Sequence, residues 1–198
     1  MIAIGCDHGG FQLKGEIIKF LDENGYEYND VGTYDEASVD YPDIAKRVCN
    51  LIIGGSCDKG ILVCGTGIGM NICANKFKGI RAAQCHDTFS AKMTRQHNNS
   101  NVLTMGGRVI GPELAKEVVR EFLTNEFLGG RHETRVNKIT EIEVGSYEVK
   151  TTLKDTNAYV WKDYTTTPKT IRCTIQKATP LLWNPEGEDS GTDGKELG

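Results

Sequence analysis

Apolar residues over the first two thirds of the chain follow two alternating rhythms. Short unbroken runs, Ile2-Ala3-Ile4 closed by Gly5 and Ile61-Leu62-Val63-Cys64 opened by Gly60, read as strands buried on both faces. Between them the spacing stretches to three and four. Leu13, Ile17 and Leu21, widened by Ile18 and Phe20, predict a helix that ends at Asn24-Gly25. Tyr41-Pro42 opens a second helix with proline in its first turn, and Ile44, Val48, Leu51 and Ile52 line its apolar face. Residues 26–31, 80–84 and 101–105 predict further short strands. Helices are expected from about Met70, around 88–97, and after Pro112, where Leu114, Val118 and Phe122 with Val119 and Leu123 form a stripe.

Strand and helix alternate about five times, which implies parallel strands joined by right-handed crossovers and covered on both faces by helices. Ligands of such sheets bind at the carboxyl ends of the strands. Asp7-His8-Gly9-Gly10 and Cys64-Gly65-Thr66-Gly67 each follow a predicted strand, so they should converge. The pattern changes after about Glu143. Both tryptophans (Trp161 and Trp183) lie beyond it, and Tyr147–Leu153 and Thr170–Ile175 alternate with strand period. Residues 1–143 therefore read as the main domain and 144–198 as a β-rich extension. Its last stretch, 184–198, is rich in Gly, Asp and Glu and is expected to be disordered.

Composition narrows the function classes. A net charge of −4 without a basic run argues against a general nucleic-acid binder. No apolar run approaches the roughly 20 residues that span a membrane. The start, Met1-Ile2-Ala3-Ile4-Gly5-Cys6-Asp7, lacks the basic and apolar regions of a signal peptide, so a cytoplasmic location is expected. The seven cysteines form no Cys-x-x-Cys pair, which speaks against both a disulfide framework and a zinc site. By type alone most should be small buried hydrophobes.

One of them is set apart by its neighbours. Gly65-Thr66-Gly67-Ile68-Gly69-Met70 follows a buried strand and opens a helix. Glycines at alternate positions let backbone approach a ligand closely, and successive N–H groups there make an anion-binding nest. The dinucleotide fingerprint fails because position 70 is Met, and no lysine completes a nucleotide P-loop. Cys64 ends the strand just before this nest, where N–H groups favour a thiolate. The bland reading is a strand-end core cysteine. Asp7 and His8 end the first strand and can bind hydroxyls or phosphate. His97-Asn98-Asn99 places a histidine among amides, suited to acid–base work on a hydroxylated ligand, or else a solvated helix end. Arg131 and Arg135 are four apart, so on a helix they share a face and can grip one phosphate. A surface charge pair is the alternative. Arg108 in Gly106-Gly107-Arg108 is a weaker candidate of the same kind.

The chain resembles the type B ribose-5-phosphate isomerases, in the family shared with galactose-6-phosphate isomerase subunits. The segments that carry the resemblance are Gly5–Gly10, Val31–Tyr34, Asp40–Asp43, Ile61–Met70, Ala74–Lys76, Arg95–Asn99 and Gly129–Arg135, in order over residues 1–143. It implies a Rossmann-like α/β/α sandwich with a five-stranded parallel sheet and a homodimer, or a tetramer, with sites at the subunit interface. It implies neither metal nor organic cofactor, and a sugar phosphate as the partner molecule. Position by position, it makes Cys64 the base, His97 the ring-opening residue, and Asp7 and Tyr41 contacts to substrate hydroxyls. Thr66 with Gly65, Gly67 and Gly69 would hold the intermediate, while His8, Arg131 and Arg135 grip the phosphate with Arg108 as helper. His97, Asn98 and Arg108 face the partner's site in relatives. Some relatives carry a glutamate along the following helix, but Asn71-Ile72-Cys73-Ala74-Asn75 has no carboxylate. The expected reaction is aldose–ketose isomerisation of ribose 5-phosphate. Hexose 6-phosphate isomerisation and non-catalytic sugar-phosphate binding are the alternatives.

Overall fold

The computed structural model describes residues 1–139, 145–151 and 169–175. The chain divides into two units, Met1–Thr140 and Glu141–Gly198. In the first, strands β1 (Ile2–Cys6), β2 (Tyr28–Asp30), β3 (Lys59–Cys64), β4 (Ala82–Gln84) and β5 (Val102–Gly106) alternate with helices α1 (Phe11–Glu23), α2 (Tyr41–Ile53), α3 (Ile68–Ala74), α4 (Thr88–Asn98) and α5 (Pro112–Thr124). A 3₁₀ turn over His8–Gly10 precedes α1, and a short α6 (Arg131–Val136) follows α5. All strand pairs of this sheet are parallel, in the order β2-β1-β3-β5-β4. The expected α/β sandwich is the observed one.

The period-two geometry of a strand explains how unbroken apolar runs are used. Ile2, Ile4, Cys6, Ile61, Val63, Leu103 and Met105 pack with α1 and α5 through Ile17, Leu21, Val118 and Phe122. Ala3, Leu62, Cys64 and Val102 turn to the other face and pack with Ile44, Val48, Met70 and Ala74 of α2 and α3. Each large apolar side chain removed from water contributes roughly 1.5–3 kcal/mol. Two such layers on one sheet hold its strand ends rigidly.

Boundaries shift by a residue or two where no side-chain rhythm marks them. Helix α3 begins at Ile68 rather than Met70, because Gly67 takes a left-handed conformation (φ 82°) and turns the chain into the helix earlier. Strand β2 keeps only Tyr28–Asp30 of the expected 26–31, the residues paired with Ile2–Ile4. In the second unit, β6 (Gly145–Thr151) pairs antiparallel with β7 (Lys169–Ile175). Both strands fall close to the expected segments. The expected disorder of 184–198 lies outside the described residues, as do both tryptophans.

Candidate active site

Connections leave β1 toward β2 on one side and β3 toward β5 on the other. The sheet therefore has its switch point between the carboxyl ends of β1 and β3, the place where open α/β sheets bind ligands. Cys6 is in register with Val63, so Asp7 and Cys64 emerge side by side. Asp7 is buried, and its Oδ1 accepts from the Gly9 N–H at 2.9 Å and the Gly10 N–H at 3.1 Å. That bonding shapes the 3₁₀ turn. A Cβ on Gly9 would stand 3.0 Å from the Gly65 nitrogen, and one on Gly10 would stand 2.4 Å from the Val63 oxygen. The two glycine turns thus meet backbone to backbone, as their positions after strands predicted.

Strand β5 adds a third segment. Gly106 is in register with Cys64, the Gly107 N–H donates to the Cys64 carbonyl at 2.8 Å, and the Arg108 N–H donates to the Gly65 carbonyl at 3.0 Å. The Arg108 guanidinium passes over Gly65 of its own chain. On the far side of the nest the Tyr41 ring lies against Gly69, where a Cβ would stand 2.8 Å from its Cζ. His8 is exposed and accepts the Val39 N–H on Nδ1 at 3.4 Å. Thr66 is exposed, and its Oγ1 accepts the Ile68 N–H at 3.4 Å.

The Cys64 sulfur accepts the Gly67 N–H at 3.1 Å. An N–H aimed at sulfur stabilises its anion over the neutral thiol. Cys6 and Cys73 are used the other way, as S–H donors to the Thr33 and Pro42 carbonyls. Burial pushes the Cys6 thiol up to about 11 and those of Cys49 and Cys85 up to about 12. Burial also raises Cys57 and Cys73. Among the described residues no group of three or more His, Cys, Asp or Glu is placed to hold a metal ion.

The family described as Ribose/Galactose Isomerase matches residues 2–139. The chain belongs to that family. It is 52% identical over 142 residues to the ribose-5-phosphate isomerase B of Escherichia coli (strain K12), covering 72% of this chain and 95% of that protein. It is 49% identical over 140 residues to the D-erythrulose-4-phosphate isomerase of Pectobacterium atrosepticum, covering 70% and 91%. The solved Clostridium thermocellum ribose-5-phosphate isomerase B superposes with a TM-score of 0.69 at 52% identity, covering 70% of this chain and 93% of that one.

Measured against the isomerase expectation, one chain supplies two separate groups of residues. Asp7, His8, Tyr41, Cys64, Gly65, Thr66, Gly67, Gly69 and Arg108 gather at the carboxyl ends of the strands. His97 and Asn98 do not join them. They end α4, which runs back from β4 to the start of β5, at the amino ends of the strands. Eleven helical residues span about 16 Å. Helix α6 packs there as well. His97 and His132 stack with ring centroids 4.1 Å apart and planes within 4°. Arg131 and Arg135 sit four apart on α6 as expected, and Arg131 Nε donates to His132 Nε2 at 3.5 Å. The His132 imidazole is pushed down, first by burial and then by the charges of His97, Arg131 and Arg135. This is a concentrated cationic patch. Arg108 lies over Gly65 of its own chain.

Two side chains that the sequence reading did not single out bond to the segments that meet around Cys64. Gln84 Nε2 donates to the Thr66 carbonyl at 2.8 Å, and His86 Nε2 accepts the Gly106 N–H at 3.0 Å. Both follow from the carboxyl-end rule applied to β4, a strand too short and too weakly patterned to invite it.

Proposed function

We propose that the chain interconverts ribose 5-phosphate and ribulose 5-phosphate through a cis-enediolate, with Cys64 as the base. The observation that carries this is the Gly67 N–H directed at the Cys64 sulfur beside the glycine nest. The thiolate takes the proton from C2 of the open-chain aldose and returns it to C1, while a proton passes from O2 to O1. Negative charge grows on those oxygens as the enediolate forms. Backbone N–H groups of the nest other than those held by the sulfur and by Thr66 Oγ1 meet it, each well-placed donor contributing roughly 3–4 kcal/mol. Asp7 and Tyr41 hold hydroxyls, and His97 assists ring opening.

The phosphate, remote from the reacting carbons, is held by His8 with Arg131 and Arg135, and its binding energy positions them. The enzyme acts as a cytoplasmic homodimer. That reading is supported by the separation of Cys64 and His97 within one chain, since a second copy can bring its α4 end to the first copy's nest. The name of the Pectobacterium relative favours testing a four-carbon substrate as well.

In the test, Cys64→Ala lowers kcat by about 10²–10⁴-fold or more while KM and melting temperature stay close to wild type. Arg135→Ala mainly raises KM. Near-normal kcat in Cys64→Ala overturns the assignment of the base. A panel of tetrose, pentose and hexose phosphates compared by kcat/KM decides chain length. Binding without turnover of any of them would identify a sugar-phosphate binder.

A further inference from the structure

Strand β4 is the edge of the sheet, two strands from β3, yet its carboxyl end reaches the Cys64 turn. His86, just beyond β4, is half-buried and accepts the Gly106 N–H on Nε2 at 3.0 Å. Gly106 is where β5 meets the nest. A Cβ there would stand 2.8 Å from both the carbonyl carbon and the oxygen of Thr66. The next two residues donate to the Cys64 and Gly65 carbonyls at 2.8 and 3.0 Å. A Cβ on Gly67, whose N–H meets the sulfur, would stand 2.9 Å from the Met105 carbonyl carbon and 3.2 Å from the Gly106 nitrogen. The end of β5 and the turn after Cys64 are therefore in backbone contact on both sides of Gly106. Movement at Gly106 reaches the sulfur's hydrogen-bond donor with no flexible side chain between them.

We propose that His86 is a positioning residue for Cys64. By accepting the Gly106 N–H it fixes the end of β5 against residues 64–67, and so holds the Gly67 N–H on the sulfur. Gln84, donating to the Thr66 carbonyl, braces the same turn from the same strand. The role requires an acceptor at Nε2, so the ring carries its proton on Nδ1. The proposal rests on Cys64 being the base, and the experiment separates the two.

His86→Ala removes the acceptor, and His86→Gln offers a side-chain carbonyl in its place. The first readout is turnover. His86→Ala is expected to lower kcat about tenfold with KM within twofold, and His86→Gln to recover to within threefold of wild type. The second readout needs no substrate. Deuterium exchange across residues 64–69 and 104–107 is expected to speed up in His86→Ala and return toward wild type in His86→Gln. Wild-type kcat in His86→Ala, or a His86→Gln variant as impaired as His86→Ala, overturns the proposal. So does unchanged exchange in those two segments. Global unfolding of His86→Ala would also overturn it, since a local brace on a half-buried side chain does not hold the whole fold. If Cys64→Ala turns over normally while exchange responds as expected, the assigned base fails and the brace stands.

Discussion

Placing Cys64 and His97 at opposite ends of one sheet makes a prediction that subunit mixing can test. Two variants, Cys64→Ala and His97→Ala, each lack one partner of the reaction. In a homodimer whose sites combine Cys64 of one subunit with His97 of the other, a hybrid of the two variants has one site missing both residues and one site with both intact. Random pairing makes about half of the dimers hybrids, and each hybrid keeps one of two sites, so an equal mixture recovers about a quarter of wild-type activity. Hybrids purified through two different tags recover about half per dimer. Within one chain α4, roughly 16 Å long, carries His97 away from the carboxyl ends of the strands where Cys64 lies, whereas a base or acid must come within about 3 Å of the atom with which it exchanges a proton. The assay is ribulose 5-phosphate formation after co-expression, set against the residual rate of each parent variant. Purified hybrids no more active than their parents would refute the shared site.

Two further predictions concern the supports of the site. Lys14 is buried, and its ammonium donates to Asp30 Oδ2 at 2.6 Å, Asp30 Oδ1 at 2.8 Å and the Thr33 carbonyl at 2.8 Å. Lys14→Met leaves Asp30 without its cation at the end of β2, so urea titration at neutral pH should show a loss of about 3–5 kcal/mol, roughly a 10 °C fall in Tm. A change under about 1 kcal/mol contradicts that account. His132 is held below its ordinary value of 6.5 by burial and neighbouring positive charge. The unfolded chain then binds the proton more readily, so stability is complete above pH 6.5 and declines as pH falls below it. The decline should flatten in His132→Gln and shrink when inorganic phosphate is added; a wild-type slope in the variant rules out His132 as its source.

Much of this was legible in the residues because sheet topology ties strand ends to sites. Unbroken runs at 2–4 and 61–64 marked the two strands of the switch point, and the glycines after them marked the turns that meet there. The 3.6-residue stripes of Leu13–Leu21 and Val118–Phe122 became the helices covering one face of the sheet. What stayed hidden depended on distances between segments far apart in the chain. The predicted helix over 88–97 and strand over 101–105 already put His97 at the amino ends of the strands, but its stacking on His132 shows only in three dimensions. The bonds from Gln84 and His86 were equally silent, because β4 is three residues long and its register against β5 becomes visible only in three dimensions.

The selection of one thiol from many shows how backbone can do what composition cannot. Cys6 and Cys85 are buried on one face of the sheet and Cys49, Cys57 and Cys64 on the other, so burial alone singles out none of them. Cys64 differs in where its strand stops. One residue earlier its side chain would turn to the face covered by α1 and α5. One residue later it would belong to the turn, with no strand to hold it. At the last position of β3 its side chain faces α3, and the left-handed Gly67 swings an N–H back onto the sulfur. Gly67 can do so because it has no Cβ: with one, it would press to 2.9 Å against the Met105 carbonyl carbon. The chemistry assigned to the cysteine therefore depends on glycines at 67 and 106, which let the end of β5 and the turn after β3 close against each other beside the sulfur.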